Sequence, residues 1–185
     1  MNCQQKIKKE LILVLGGAQC GKSIYVQKQA EKINGEVLYI ATATPDDKEM
    51  EVRITDHRVS RPSHWKTLEI QKGVGLALKQ LSEKPSVIIL DCLTLLVSNL
   101  MTNNNISEKE LLNKTKLEID SILDAYNNEL NVLMYIISNE VGMGVVPAYY
   151  TGRIYRNVLG KVNQYIAEKA NKVIFLIAGI PTILK

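Results

Sequence analysis

Five short apolar runs, rich in β-branched residues, punctuate the chain: Leu11–Leu15, Val37–Ala41, Val87–Leu90, Val132–Ser138 and Val173–Ala178. Helical patterns separate them. Continuous apolar strands alternating with helices are what a sheet buried on both faces requires. The pattern therefore predicts an α/β fold: a mostly parallel central sheet whose right-handed crossovers set helices on both faces. Ile24–Ile33 reads as a helix. Ser107-Glu108-Lys109-Glu110 forms a capping box ahead of Leu111, Leu112, Ile119, Ile122, Leu123 and Tyr126, which predicts a long amphipathic scaffold helix. A further helix is expected from about Thr151 to Ala170, carrying Arg153, Arg156, Lys161, Asn163 and Gln164. Asn99–Ile106, with three consecutive asparagines, is expected to be a loop and the most credible flexible insertion.

Composition narrows this picture only a little. At 185 residues and 46% hydrophobic content the chain can bury one sizeable core, so a single domain spanning 1–185 is expected. The net charge of +4 comes from scattered lysines and arginines rather than a basic stripe, which argues against a nucleic-acid partner. Cys3, Cys20 and Cys92 show no C-x-x-C spacing, which fits neither a disulfide framework nor a zinc site and points to a reducing compartment. The lysines ahead of Leu11 imitate a secretory leader, but the apolar run is about five residues against the usual 7 to 15, so it is read as the first strand. No window approaches a membrane span, and a cytoplasmic protein without stable membrane insertion is expected.

The chemistry enters directly behind that first strand. Gly16-Gly17-Ala18-Gln19-Cys20-Gly21-Lys22-Ser23 matches the G-x-x-x-x-G-K-[ST] phosphate loop residue for residue. Its glycines let backbone N–H groups and a helix N-terminus converge on one point, where the phosphates of a nucleotide gain hydrogen bonds and a favourable dipole. Lys22 is expected to reach the β- and γ-phosphates and Ser23 to ligate Mg²⁺. A glycine-rich strand-to-helix turn without a ligand is the bland alternative, and the strand before the motif and the helix after it weigh against that.

Asp91 closes the run Val87-Ile88-Ile89-Leu90-Asp91 at the carboxyl end of a buried strand, a Walker B pattern. It either holds Mg²⁺ opposite Ser23 or caps the next turn; beside the phosphate loop the metal role is favoured. Cys92, where a motor ATPase would carry a second carboxylate, argues against that class. The segment Asp46–Trp65 begins as a helix in which Arg53 and His57 share a face, with Arg58 and Arg61 following where Pro62 turns the chain out. An imidazole flanked by guanidinium groups can attack phosphorus, although an exposed histidine without such a role is the commoner case. His64 beside Trp65 reads as packing or a substrate edge. Glu69 is placed to accept from a ribose or base, or is simply solvated. Ser138-Asn139-Glu140-Val141-Gly142-Met143-Gly144 reads as a loop near the ligand edge, with Glu140 a base or metal ligand if it is not solvated.

These residues together resemble one family. Gly16–Ser23, Leu38-Tyr39-Ile40-Ala41-Thr42-Ala43, Glu49-Met50 through Arg53-Ile54, His57-Arg58 with Arg61-Pro62 and Trp65, Asp91-Cys92-Leu93-Thr94, Ser138–Gly142, Val162-Asn163-Gln164 and Gly179-Ile180-Pro181 are similar to the bifunctional adenosylcobinamide kinase / adenosylcobinamide-phosphate guanylyltransferase of cobalamin synthesis, nearly end to end. The phosphate loop is widely shared; the His57-Arg58-x-x-Arg61-Pro62-x-x-Trp65 block is far more specific. The resemblance implies a RecA-like P-loop NTPase fold and two reactions. The first phosphorylates the aminopropanol hydroxyl of adenosylcobinamide with ATP or GTP. In the second, a histidine matching His57 attacks the α-phosphorus of GTP, pyrophosphate with its Mg²⁺ leaves into the Lys22/Ser23 cradle, and the cobinamide phosphate takes GMP from the histidine. Thr42, Ala43, Arg58, Val59, Ser60, Arg61, Glu69 and Asp91, with the loop residues Gly16, Gly17, Ala18, Gln19, Cys20 and Gly21, are then expected to contact nucleotide. A corrinoid substrate and a homo-oligomer are implied as partners, a trimer being one candidate, with a neighbouring subunit helping to form the corrinoid site.

The chain departs from the family pattern at Gln19-Cys20, where Arg-Ser is common, at Leu96, where Trp is frequent, and at Asn157, where Asp is usual. An arginine missing beside the phosphates bears on nucleotide choice in the kinase step. Two other readings compete: a small-molecule P-loop kinase with no covalent intermediate, and a nucleotide-sensing or RecA-like nucleic-acid-binding module.

Overall fold

A computed structural model of the chain describes residues 8–44, 48–59, 61–101 and 106–185, with only the backbone of Glu49, Met50, Arg53, Asp56 and His57. The five apolar runs form strands β1 (Glu10–Gly16), β2 (Val37–Ala41), β4 (Val87–Asp91), β5 (Leu133–Ile137) and β6 (Lys172–Ile177). Two strands were not expected, β3 (Lys66–Glu69) and β7 (Ile180–Ile183). All seven join in one sheet of order β3-β2-β4-β5-β1-β6-β7, parallel throughout except for the antiparallel β6–β7 pair.

Helices α1 (Lys22–Ala30), α2 (Lys48–Val59), α3 (Val74–Lys79), α4 (Leu93–Leu100), α5 (Glu108–Asn128) and α6 (Tyr150–Lys169) fill the connections. Period-two alternation sorts the strand residues between two cores. Leu38, Ile40, Ile88, Leu90, Met134 and Ile136 face α3 to α6, together with Leu111, Ile119, Ile122, Val158 and Val162. Tyr39, Ile89, Tyr135 and Ile137 face the other way, toward Val26 and Ala30 of α1 and Trp65. Both faces of the sheet are thus covered, as expected, but four helices lie on one side. Among its described side chains helix α2 adds none to either core, and its Val52 and Val59 stand exposed.

The capping expectation holds at one bond, the Glu110 N–H donating to Ser107 Oγ at 3.2 Å. The loop expected over Asn99–Ile106 begins later, because Asn99 and Leu100 complete α4; residues 102–105 lie outside the described set. Asn99 is drawn into the helix by a tertiary role, its Nδ2 donating to the carbonyls of Thr42 at 2.8 Å and Gln71 at 3.2 Å. Leu96, at a family-variant position, is fully buried in the larger core, and Asn157 donates to Glu108 Oε2 at 3.1 Å.

Ser107→Ala is expected to lower the unfolding free energy by about 1 kcal/mol, the usual worth of a serine N-cap, read as a lower urea midpoint with unchanged m-value. Burial pushes the Tyr135 hydroxyl from 10.0 up to about 12. The unfolded chain therefore releases that proton first, and stability falls as pH rises from about 10 to about 12. Urea midpoints measured across that range should decline, and less steeply in Tyr135→Phe.

Candidate functional site

The carboxyl ends of the parallel strands lie along one edge. In-register pairing puts Glu69 beside Ala41, Ala41 beside Asp91, Asp91 beside Ile137 and Ile137 beside Val14, two residues before the phosphate loop. A cavity of about 520 Å³ opens there. Ala18, Gln19, Cys20, Gly21, Lys22 and Ser23 form one wall; Tyr39, Ala43, Asp91 and Asn139 line the floor; Ile54 and Arg58 of α2, with Arg61 and Glu69, close the far side.

The loop conformation depends on its glycines. Gly16 has φ +152°, and a Cβ there would meet Cys20 Sγ and the Leu176 carbonyl oxygen, each at 2.6 Å. Gly21 caps α1 in the left-handed region at φ 93°, and Gln19 also adopts positive φ, 54°. The loop is tied to the sheet by the Gly179 N–H donating to the Cys20 carbonyl at 2.9 Å. Lys22 is buried, and its ammonium group donates to the carbonyls of Gly16 at 3.1 Å and Gly17 at 2.5 Å, with Cys20 Sγ at 3.6 Å. The loop thus supplies the cation with internal acceptors, as a buried ammonium group requires.

Asp91 accepts a hydrogen bond from the Tyr39 hydroxyl. Burial, reinforced by the adjacent Asp91 carboxylate, raises the Tyr39 hydroxyl well above its ordinary range, so it remains a donor. The Arg61 guanidinium lies 3.7 Å from the centroid of the Tyr39 ring, on its face, in a cation–π arrangement. Arg61 Nε is buried with no hydrogen-bond partner among the described residues. An orphaned buried donor on the wall of a cavity asks for an acceptor from a ligand. Arg58 pairs with Glu69 across the entrance. Burial and the Asp91 charge push the Cys92 thiol up to about 12, which keeps it neutral.

The other sequence candidates fall in different places. Thr42 is fully buried and does not line the cavity; its Oγ1 donates to the Cys92 carbonyl at 2.7 Å and accepts from the Cys92 N–H at 2.9 Å, so it braces the turn after Asp91. Val59 is exposed, away from the lining. Ser60 lies outside the described residues, as does the His57 side chain; the His57 backbone belongs to α2, between the lining residues Ile54 and Arg58. His64 is exposed, with its ring edge-to-face with Trp65 at 6.5 Å between centroids. Glu140 caps its own loop, Oε1 accepting from the Gly142 N–H at 2.7 Å, and is not part of the lining. Sequence reasoning gave no role to Tyr39 or to Asn139, although Tyr39 is the only residue with a polar side-chain atom in its strand.

Mg²⁺ fits this donor set. Ser23 and Asp91 present hard oxygen donors to the same cavity, while among the described residues no three His, Cys, Asp or Glu side chains gather into a protein-made metal centre. That is the arrangement for an ion that brings phosphate and water oxygens with it.

The fold is similar to solved P-loop ATPases. An ATPase from the type III secretion system of pathogenic bacteria superposes with TM-score 0.57 at 8% identity, covering 92% of this chain and 52% of that one. A second solved ATPase domain gives 0.52 at 14%, covering 93% and 70%. By sequence the chain is 38% identical over 173 residues to the bifunctional adenosylcobalamin biosynthesis protein CobP of Pseudomonas aeruginosa, covering 94% of this chain and 96% of the relative. It is 34% identical over 188 residues to the protein CobU of the same description from Escherichia coli, covering 95% and 99%. Residues 12–184 match the family model for cobinamide kinase / cobinamide phosphate guanyltransferase. With its P-loop fold and near full-length similarity to those relatives, the chain belongs to the cobinamide kinase / cobinamide phosphate guanyltransferase family of kinases and nucleotidyltransferases.

Proposed function

We propose that this chain carries out both reactions named by its family: phosphorylation of the hydroxyl arm of adenosylcobinamide, then transfer of GMP from GTP to the cobinamide phosphate through a guanylylated His57. The observation that carries the reading is the single cavity bounded by the phosphate loop on one side and by Ile54, Arg58 and Arg61 on the other. A triphosphate seated there has its β- and γ-phosphates on the Gly16–Ser23 backbone and its α-phosphate toward α2. Lys22 would exchange the Gly16 and Gly17 carbonyls for phosphate oxygens, a stronger charge-assisted contact.

In the transfer, a nitrogen of His57 forms a bond to the α-phosphorus while the bond from that phosphorus to the bridging oxygen of pyrophosphate breaks. A cobinamide phosphate oxygen then displaces the imidazole, and the phosphorus–nitrogen bond breaks. Arg58 and Arg61 are positioned to offset charge at the α-phosphate, Arg61 Nε supplying a donor that has no acceptor among the described residues. Ser23 and Asp91 would hold Mg²⁺, which neutralises phosphate charge when bound, and the Tyr39 hydroxyl orients the Asp91 carboxylate. Ala43 and Glu69 form the rim suited to ribose or base. The corrinoid is then the acceptor, and a homo-oligomer, with a trimer as one form, supplies further walls for so large a substrate. A cytoplasmic location fits free Cys20 and Cys92.

GTP labelled on the α-phosphate should leave acid-labile, base-stable label on the denatured wild-type chain and none on His57→Ala. Unlabelled wild type, or a labelled His57→Ala, would point instead to a kinase with no covalent intermediate. Lys22→Ala is expected to slow both labelling and cobinamide phosphorylation, each assayed with ATP and with GTP, on the order of 10²-fold, the scale for removing one preorganised donor to developing charge. An effect on one reaction alone would separate the two sites.

A further inference from the structure

We propose that Asn139, to which neither its family's name nor the motifs assign a role, is a substrate-contacting residue that reads the terminal phosphate of the bound nucleoside triphosphate. The inference rests on the reading of the cavity as a triphosphate site. Strand β5 runs between β1, which leads into the phosphate loop, and β4, which ends in Asp91. Ile137 pairs with Val14 on one side and Asp91 on the other, so the residue two positions later emerges between Lys22 and the metal-side carboxylate.

The backbone there is held from three directions. The Asn139 N–H donates to Thr94 Oγ1 at 2.8 Å, and its carbonyl accepts from Asn163 Nδ2 at 3.0 Å. Asn163 is fixed in turn by the buried Ser138 hydroxyl, which donates to its Oδ1 at 2.7 Å. The next residue, Glu140, donates its N–H at 3.0 Å to the Gly16 carbonyl, the same oxygen that holds Lys22 Nζ at 3.1 Å. Both backbone groups of Asn139 are therefore spent on scaffolding, and its carboxamide has no hydrogen-bond partner among the described residues. Asn139 nevertheless lines the cavity.

A carboxamide placed by so rigid a mount, beside the loop that takes the β- and γ-phosphates, offers an N–H donor to a phosphate oxygen without adding charge. Glu69, paired with Arg58, lies at the opposite end, two strands beyond Asp91, where the remainder of the nucleotide extends, and Arg61 stands on Tyr39 between the two. The terminal phosphate is accordingly the group within its range.

The test compares calorimetric affinities of the full chain for α,β-methylene GTP and α,β-methylene GDP with Mg²⁺ present, neither ligand being able to transfer GMP. In Asn139→Ala the triphosphate analogue should weaken about tenfold while the diphosphate changes less than about twofold, as expected for one lost hydrogen bond to a charged group. Asn139→Asp, nearly isosteric but anionic, should weaken the triphosphate further, and it reads the same ratio if the alanine variant does not fold. Equal weakening of both ligands, or no change in either, overturns the assignment and leaves Asn139 a structural residue. Wild-type protein that binds neither analogue overturns the cavity reading itself.

Discussion

In-register parallel pairing is the constraint on which the site depends. Because each strand meets its neighbours without offset at its carboxyl end, Glu69, Ala41, Asp91, Ile137 and Val14 fall in one line across the sheet. A slip of one residue in β4 would turn Asp91 to the opposite face and bring Leu90 toward the phosphate loop. That slip would carry the Asp91 carboxylate away from the Tyr39 hydroxyl and exchange Ile88 and Leu90 with Ile89 between two cores that are each close-packed around their own side chains. The same burial that stabilises the sheet thus sets the spacing between the phosphate loop and its acidic partner.

Around that line the polar groups are paired in a way that an anion can redirect. Lys22 rests on loop carbonyls, Asp91 on the Tyr39 hydroxyl and Arg58 on Glu69. Arg61 is stacked on a ring and keeps a buried donor unmatched among the described residues. In the proposed complex, exchanging weak internal acceptors for phosphate oxygens would give a charged ligand binding energy without requiring the sheet to move.

The central strands were legible because burial on both faces leaves no polar interruption in their sequences. Strand β3, Lys66-Thr67-Leu68-Glu69, lacks that signature: it is an edge strand with mostly exposed side chains. Strand β7 carries Pro181 and is exposed throughout, which only an outer antiparallel position tolerates. Within the site, the phosphate loop and Asp91 could be read because their chemistry is local to a few consecutive residues. Tyr39 and Asn139 could not: one looks like any core residue of an apolar strand, the other like any loop asparagine, and their importance comes from partners 52 and 45 positions away. Thr42, a nucleotide contact by resemblance, has its hydroxyl bonded to the Cys92 backbone, a partner 50 positions away that its own neighbourhood does not announce.

In the proposed complex the Gly16–Ser23 loop takes the triphosphate tail while the α-phosphate lies toward α2. A crystal structure with α,β-methylene GTP and Mg²⁺ tests it most directly. The expected result has the β- and γ-phosphates on the loop N–H groups, Lys22 Nζ moved from the Gly16 and Gly17 carbonyls onto phosphate oxygens, and the α-phosphate beside α2. A nucleotide bound elsewhere, or one seated in the cavity with Lys22 still on those carbonyls, would contradict it.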